Sequence, residues 1–237
     1  VLIRPSLVWI PTGLGVLLAA GSGCGVCTGL LPCQPLGSIG CSTDERPAPA
    51  AEDPPHFATT AIPTIPNLYP YNHAASIVQL GNGDLLVVWD AGTHELASDT
   101  VIVSSRRPAG TPTWSQPEVV AEKPGFADAN PVLFAPSPSQ VLLFHVEMFG
   151  ATFCQGSVVG QSSMDDGHSW TAPRPALDAA CVMVRNQPIV TTTGRWILPA
   201  YIQSIYQSQF WLSDDEGATW RPTAPLFSLP NNLQPAV

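Results

Sequence analysis

The chain has 237 residues, 45% of them apolar and 11% charged, which is enough for a real core and excludes a disordered chain. A net charge of -9 with a single lysine, Lys123, argues against nucleic acid as a partner. The 26 prolines and 19 glycines punctuate the chain too often for long helices, so an all-β fold of short strands and turns is expected.

In chain order, residues 6–31 are almost uncharged behind Arg4, and the apolar run Leu14 to Ala20 leads into small residues. That order predicts a secretory signal peptide or a lipid-anchored leader, with a retained membrane anchor as the competing reading. Cys24, Cys27, Cys33 and Cys41 lie in or beside this apolar leader with no histidine nearby, so the C-x-x-C of Cys24 and Cys27 is not read as a metal site. Residues 1–41 are thus taken as the export or anchor segment and 42–69 as a Pro/Ala-rich linker and lead-in. The rest, 70–237, is expected to be exported to the periplasm, the cell surface or the medium, touching a membrane only through the anchor. Cys154 and Cys181 fall inside this globular part. They either pair in an oxidising compartment or remain free buried thiols.

An octapeptide recurs in the globular part. SMDDGHSW at 163–170 and SDDEGATW at 213–220 both fit S-x-D-x-G-x-[ST]-W, and a degenerate copy runs from Ser105 to Trp114 with Arg107 in place of the aspartate. A second element keeps phase with it. The segments opening at His73, Asn130, Asn186 and Leu233 each begin a short apolar run, and the first three continue into a turn and a second strand. The repeating unit is therefore strand, turn, strand, loop, strand, box, strand, at the length of a four-stranded propeller blade. Three units and five residues of a fourth cannot close a ring, so the remainder of a six-bladed propeller is expected downstream.

Within each box the structural role outweighs a catalytic one. Ser163, Asp165, Ser213 and Asp215 suit turn-closing acceptors, Gly167 and Gly217 a permissive φ, and Trp170 and Trp220 anchors against the blade. Repeated in register, the motif resembles the Asp-box, or bacterial-neuraminidase repeat, of the sialidase superfamily. HAASIVQLGNGDLLVVW, RNQPIV with GRWILP, and NNLQPAV are similar to its sialidase-like, predicted-neuraminidase branch. The resemblance implies a β-propeller that acts on a glycan as an exo-acting glycosidase. A non-catalytic glycan-binding or scaffold propeller and a polysaccharide lyase are the other readings of the same scaffold.

First strands line the channel of a propeller, which places His73, Asn130, Arg185, Asn186 and Gln234 at one mouth as sugar-binding candidates. Loops after the second strands add Glu95, Asp99 and Glu147, while His145 ends a second strand. The family resemblance implies an aspartate acid/base in the first-blade loop, where Asp99 stands with Glu95 as its rival. The family's first clamp arginine is missing from the nearest likeness, Ala61-Ile62-Pro63. No cofactor and no metal site are expected.

Overall fold

The computed structural model describes residues 61–62 and 69–237. The predicted export or anchor segment, and nearly all of the predicted linker, lie outside the described residues. No helix among the described residues is long and apolar enough to cross a membrane.

Three antiparallel sheets follow one another along the chain. The first is formed in order by β1 (Tyr71–Gln79), β2 (Leu85–Gly92), β3 (Val101–Arg107) and β4 (Glu118–Ala121). The second repeats this meander with β5 (Asp128–Ser137), β6 (Gln140–Met148), β7 (Gly156–Ser163) and β8 (Arg174–Pro175). In the third, β9 (Val182–Val184) and β10 (Ile189–Val190) both pair with β11 (Trp196–Ile202), which continues to β12 (Gln207–Ser213) and β13 (Arg221–Pro222). These are the blades of a β-propeller. Residues 233–237, read from sequence as the opening of a fourth first strand, form no strand here.

Each blade is apolar on both faces, so it needs a neighbour on each side. Along β2, Leu86 and Val88 join Ile102 and reach Leu133 and Leu143 of the second blade, whereas Val87, Trp89 and Ala91 turn the other way. In β5 the alternation repeats: Leu133 faces the first blade, and Val132 and Phe134 face the third through Trp196, Leu198 and Ala200. Burying one such Leu or Val is worth roughly 1.5–3 kcal/mol. Polar links also cross between blades. The Leu133 N–H donates to Ser76 Oγ at 3.0 Å and the Asp128 N–H to the Thr100 carbonyl at 2.9 Å. A disulfide between Cys154, in the β6–β7 loop, and Cys181, just before β9, clips the second blade to the third.

The two full boxes are built alike. Ser163 Oγ donates to Asp165 Oδ1 at 2.7 Å and accepts the Gly167 N–H at 2.8 Å, while Asp165 accepts the Ser169 N–H at 2.9 Å and its hydroxyl at 2.6 Å. Ser213, Asp215, Gly217 and Thr219 reproduce the set at 2.8, 2.8, 2.9 and 2.6 Å. Gly167 has φ +79° and a side chain there would press on Leu86, so only glycine fits. Trp170 packs on the core between blades one and two, and Trp220 on that between two and three. Trp114 covers the outer face of the first blade. In the degenerate box Arg107 lies over the Trp114 ring at 5.6 Å, a cation–π contact in place of the missing carboxylate.

Two tests follow from these bonds. The Ser169 hydroxyl, then its N–H and Ser163, hold the Asp165 carboxyl well below the usual carboxylate range. A depressed folded pKa contributes stability that is present above the unfolded value near 4 and lost as pH falls through the folded one. Asp165→Ala is expected to lower the thermal midpoint by a few degrees at pH 7, with the gap to wild type closing below about pH 4 in melts followed by circular dichroism. Replacing Cys154 and Cys181 by serine removes a bond across a sequence separation of 27 residues and is expected to cost about 3 to 4 kcal/mol in denaturant titrations.

Candidate functional site

The first strands of the blades break at one level. β1 loses register between His73 and Ser76, β5 between Ala129 and Val132, and the third blade's inner strand is interrupted from Arg185 to Pro188. Proline supplies the cause in two of the three, because Pro131 and Pro188 have no N–H to give the ladder. Ala74 (φ 56°) and Asn130 (φ 52°) adopt left-handed backbone at the first two breaks, as does Gln234 (φ 54°) in the segment 233–237. For alanine and glutamine this costs of order 1 kcal/mol or more, a strain that concentrates at functional sites. His73 and Asn130 therefore sit inside their strands, at the breaks, rather than at the strand starts expected from sequence. Their X-Pro register also makes Gln187, not Asn186, the counterpart of Asn130 and Gln234.

Asp90 lies at the centre of this level. It pairs with His73 across β1 and β2, is 3% exposed, and its Oδ2 accepts the Asn130 N–H at 3.2 Å. Its Oδ1 has no hydrogen-bond partner among the described residues. Burial pushes the Asp90 carboxyl above its ordinary value, against the pull of the Asn130 N–H and of the His73 and Arg185 charges. The Asn130 side-chain amide donates to the hydroxyl of Tyr201, which is 4% exposed, at 3.3 Å. Burial raises the Tyr201 phenol too, with Asn130, Gln234 and Arg185 opposing it. Tyr71 is pushed up to about 12 by burial and then by the Asp90 and Glu95 charges. Two phenols thus stay protonated at neutral pH beside a carboxyl whose pKa burial raises.

The remaining candidates occupy the margin of this cluster. Arg185 is half-buried and reaches the Ala75 carbonyl at 3.4 Å, not Asp178. Asn186 spends its amide on the carbonyls of Gln234 and Pro235, both at 2.9 Å, and Gln187 donates to the Ile77 carbonyl at 2.6 Å. An open groove of ≈ 380 Å³ runs past Ser76, Arg185 and Asn186. His73 is exposed, its ring 5.8 Å from that of Tyr71. Of the two loop acids, Asp99 closes its own loop by accepting the N–H and hydroxyl of Thr93 at 3.2 and 3.1 Å. Glu95 is exposed and its charge acts on both Tyr71 and Asp90. Glu147 accepts from Lys123 Nζ at 2.7 Å and makes no contact with the cluster among the described hydrogen bonds, and His145 is wholly buried.

Asp90, Tyr201 and Tyr71 are absent from the sequence-derived candidates. Asp90 carried a usable signal: it is the one acid in the apolar strand Leu85–Gly92. Tyr201 carried none, because a tyrosine in a strand is usually a packing residue. As a group these side chains form a partly desolvated array of hydroxyl, amide and guanidinium donors around one carboxyl, suited to holding hydroxyl and carboxylate oxygens.

A family model described as a BNR repeat-like domain matches residues 83–237. No curated protein matches the chain by sequence. Among solved structures, the intramolecular trans-sialidase of Ruminococcus gnavus, in complex with oseltamivir carboxylate, is similar with a TM-score of 0.54 and 13% identity over 65% of this chain and 60% of its own. The NanB sialidase of Streptococcus pneumoniae gives a TM-score of 0.54 and 12% identity, over 70% of this chain and 46% of its own. A protein of unknown function from Dyadobacter fermentans gives 0.53 and 17% identity, over 67% and 56%. The chain spans roughly half of the length of the structures it matches.

Because the folded Asp90 binds its proton more tightly than the unfolded chain, ionising it costs stability as pH rises from the unfolded value near 4. Asp90→Asn keeps an acceptor for Asn130 and removes that cost. It is expected to melt higher than wild type at pH 8 and level with it at pH 3; a lower midpoint at pH 8 would contradict the raised pKa.

Proposed function

Since its match to the family model makes the chain a member of the BNR repeat-like family, with the propeller fold of the sialidase superfamily, we propose that it belongs to an exported glycosidase that acts on a glycan at the Asp90 level. The observation that carries this reading is the meeting of three blades' first strands around a buried carboxyl, two protonated phenols and Arg185. Such a donor array complements a sugar's hydroxyl and carboxylate groups. The carboxylate ligand of the R. gnavus enzyme is in keeping with a charged sugar. The Cys154–Cys181 disulfide supports export, because such bonds persist in oxidising compartments.

In this reading Glu95 protonates the glycosidic oxygen. Its side chain is exposed and its charge acts on Asp90 and Tyr71, whereas Asp99 has one carboxylate oxygen engaged by Thr93. Arg185 and Asn130 hold the sugar, and His73 lies beside it. Asn186 and Gln234 shape the wall, since the Asn186 amide is already satisfied. The engagement of Asp99 is also what favours the second reading, a glycan-binding propeller without a working acid.

The test uses the whole protein with natural oligosaccharides and with nitrophenyl glycosides. Glu95→Gln is expected to lower turnover of natural glycosides by about 100-fold, the scale of general acid catalysis, and to spare substrates with a good leaving group. Asp99→Asn is expected to act mainly through the loop, with a smaller effect on both. Arg185→Ala weakens binding for every leaving group alike. Equal losses on both substrate types for Glu95→Gln would remove its role as acid, and glycan binding without turnover in wild type would select the binding-protein reading.

A further inference from the structure

At one end of the second blade, β5 sets Asp128 opposite Glu147 of β6, with His145 two residues before that glutamate. Gln161 fixes the histidine's tautomer. Its Nε2 donates to the Thr171 carbonyl at 2.9 Å, which leaves its Oε1 to accept from His145 Nε2–H at 3.1 Å. In a neutral imidazole Nδ1 is then a bare lone pair. It faces Asp128 Oδ1 at 3.2 Å, with both side chains 1% exposed, and neither atom has an aligned hydrogen-bond partner among the described residues. Two lone pairs so close in a dry place repel one another and call for a cation.

Geometry separates the kinds of cation. A bridging proton favours an oxygen near the N–H axis, and this one is not aligned for that. A metal on the axis favours an oxygen beside it. With bonds of about 2.1 Å, a ligand-to-ligand distance of 3.2 Å gives an angle of about 100° at the metal, between octahedral and tetrahedral. Glu147 supplies a third oxygen, and one donor atom from each residue lies within 4.8 Å of the others. The Glu147 carboxylate meets Lys123 Nζ at 2.7 Å, and the Lys123 side chain is 39% exposed, so its ammonium can swing into water.

We propose that Asp128, His145 and Glu147 form a site for one divalent transition-metal ion of the zinc or manganese class, with Lys123 as the cation that compensates Glu147 when no metal is bound. One imidazole nitrogen with two carboxylates suits these ions better than the all-oxygen shells of calcium and magnesium. The metal braces β5 two residues before Asn130. It thereby ties the second blade's rim to the strand break at the Asp90 level.

The experiment strips the whole chain with a chelator and titrates it with zinc, manganese and calcium chlorides by calorimetry, alongside thermal melts. One equivalent of zinc or manganese is expected to bind more tightly than calcium and to raise the midpoint. Glu147→Gln is expected to weaken affinity by more than about 10-fold, the least that loss of even an outer-shell partner costs. Lys123→Met, which removes the rival cation at the exposed rim, is expected to tighten binding. Absence of binding in both wild type and Lys123→Met, with native circular dichroism, would overturn the proposal and leave a proton-held His145–Asp128 pair. Tighter binding of calcium, or binding unaffected by Glu147→Gln, would overturn it as well.

Discussion

Every feature of this molecule depends on blades that are apolar on both faces. A four-stranded sheet with Leu86 and Val88 on one side and Val87 and Trp89 on the other buries too little by itself to offset the ordering of its backbone. Stacking resolves this, since each face becomes half of the next core. The clusters that centre on Leu133 and Leu143, and on Trp196 and Leu198, are such shared cores. The box tryptophans Trp170 and Trp220 finish them from the outer side.

Stacking around an axis then brings the first strands together, and their breaks turn proximity into chemistry. A continuous β ladder would consume the N–H and C=O groups of every first strand. Where β1 and β5 lose register and β9 gives way to β10, backbone donors such as the Asn130 N–H are free to address a carboxylate. Asp90 occupies the opening from the second strand of the first blade, and Tyr201 from the second strand of the third. A site assembled from separate blades is well placed to be rigid, because each contribution is anchored in a different core.

The acids of the protein divide by the same logic. Asp165 and Asp215 saturate their oxygens on their own turns, and Asp99 does so in part on its loop. Asp128 and Asp90, by contrast, are buried against other blades or strands with one oxygen lacking an aligned donor. An acid at fixed spacing in the sequence is thus a poor guide to reactivity, and an acid within an apolar strand is a better one.

The sequence by itself determined the all-β class, the repeating unit and the place of the boxes, because turn chemistry and period-2 alternation are local and recur with the blade. Tertiary structure alone decided that Cys154 meets Cys181, that Asn186 spends its amide on the 234–235 backbone while Arg185 does not pair with Asp178, and that Asp90 and Tyr201 share Asn130. The physical reason is separation along the chain. Asn130 is 40 residues from Asp90 and 71 from Tyr201, and the distances that govern burial and proton affinity are set only when the blades pack.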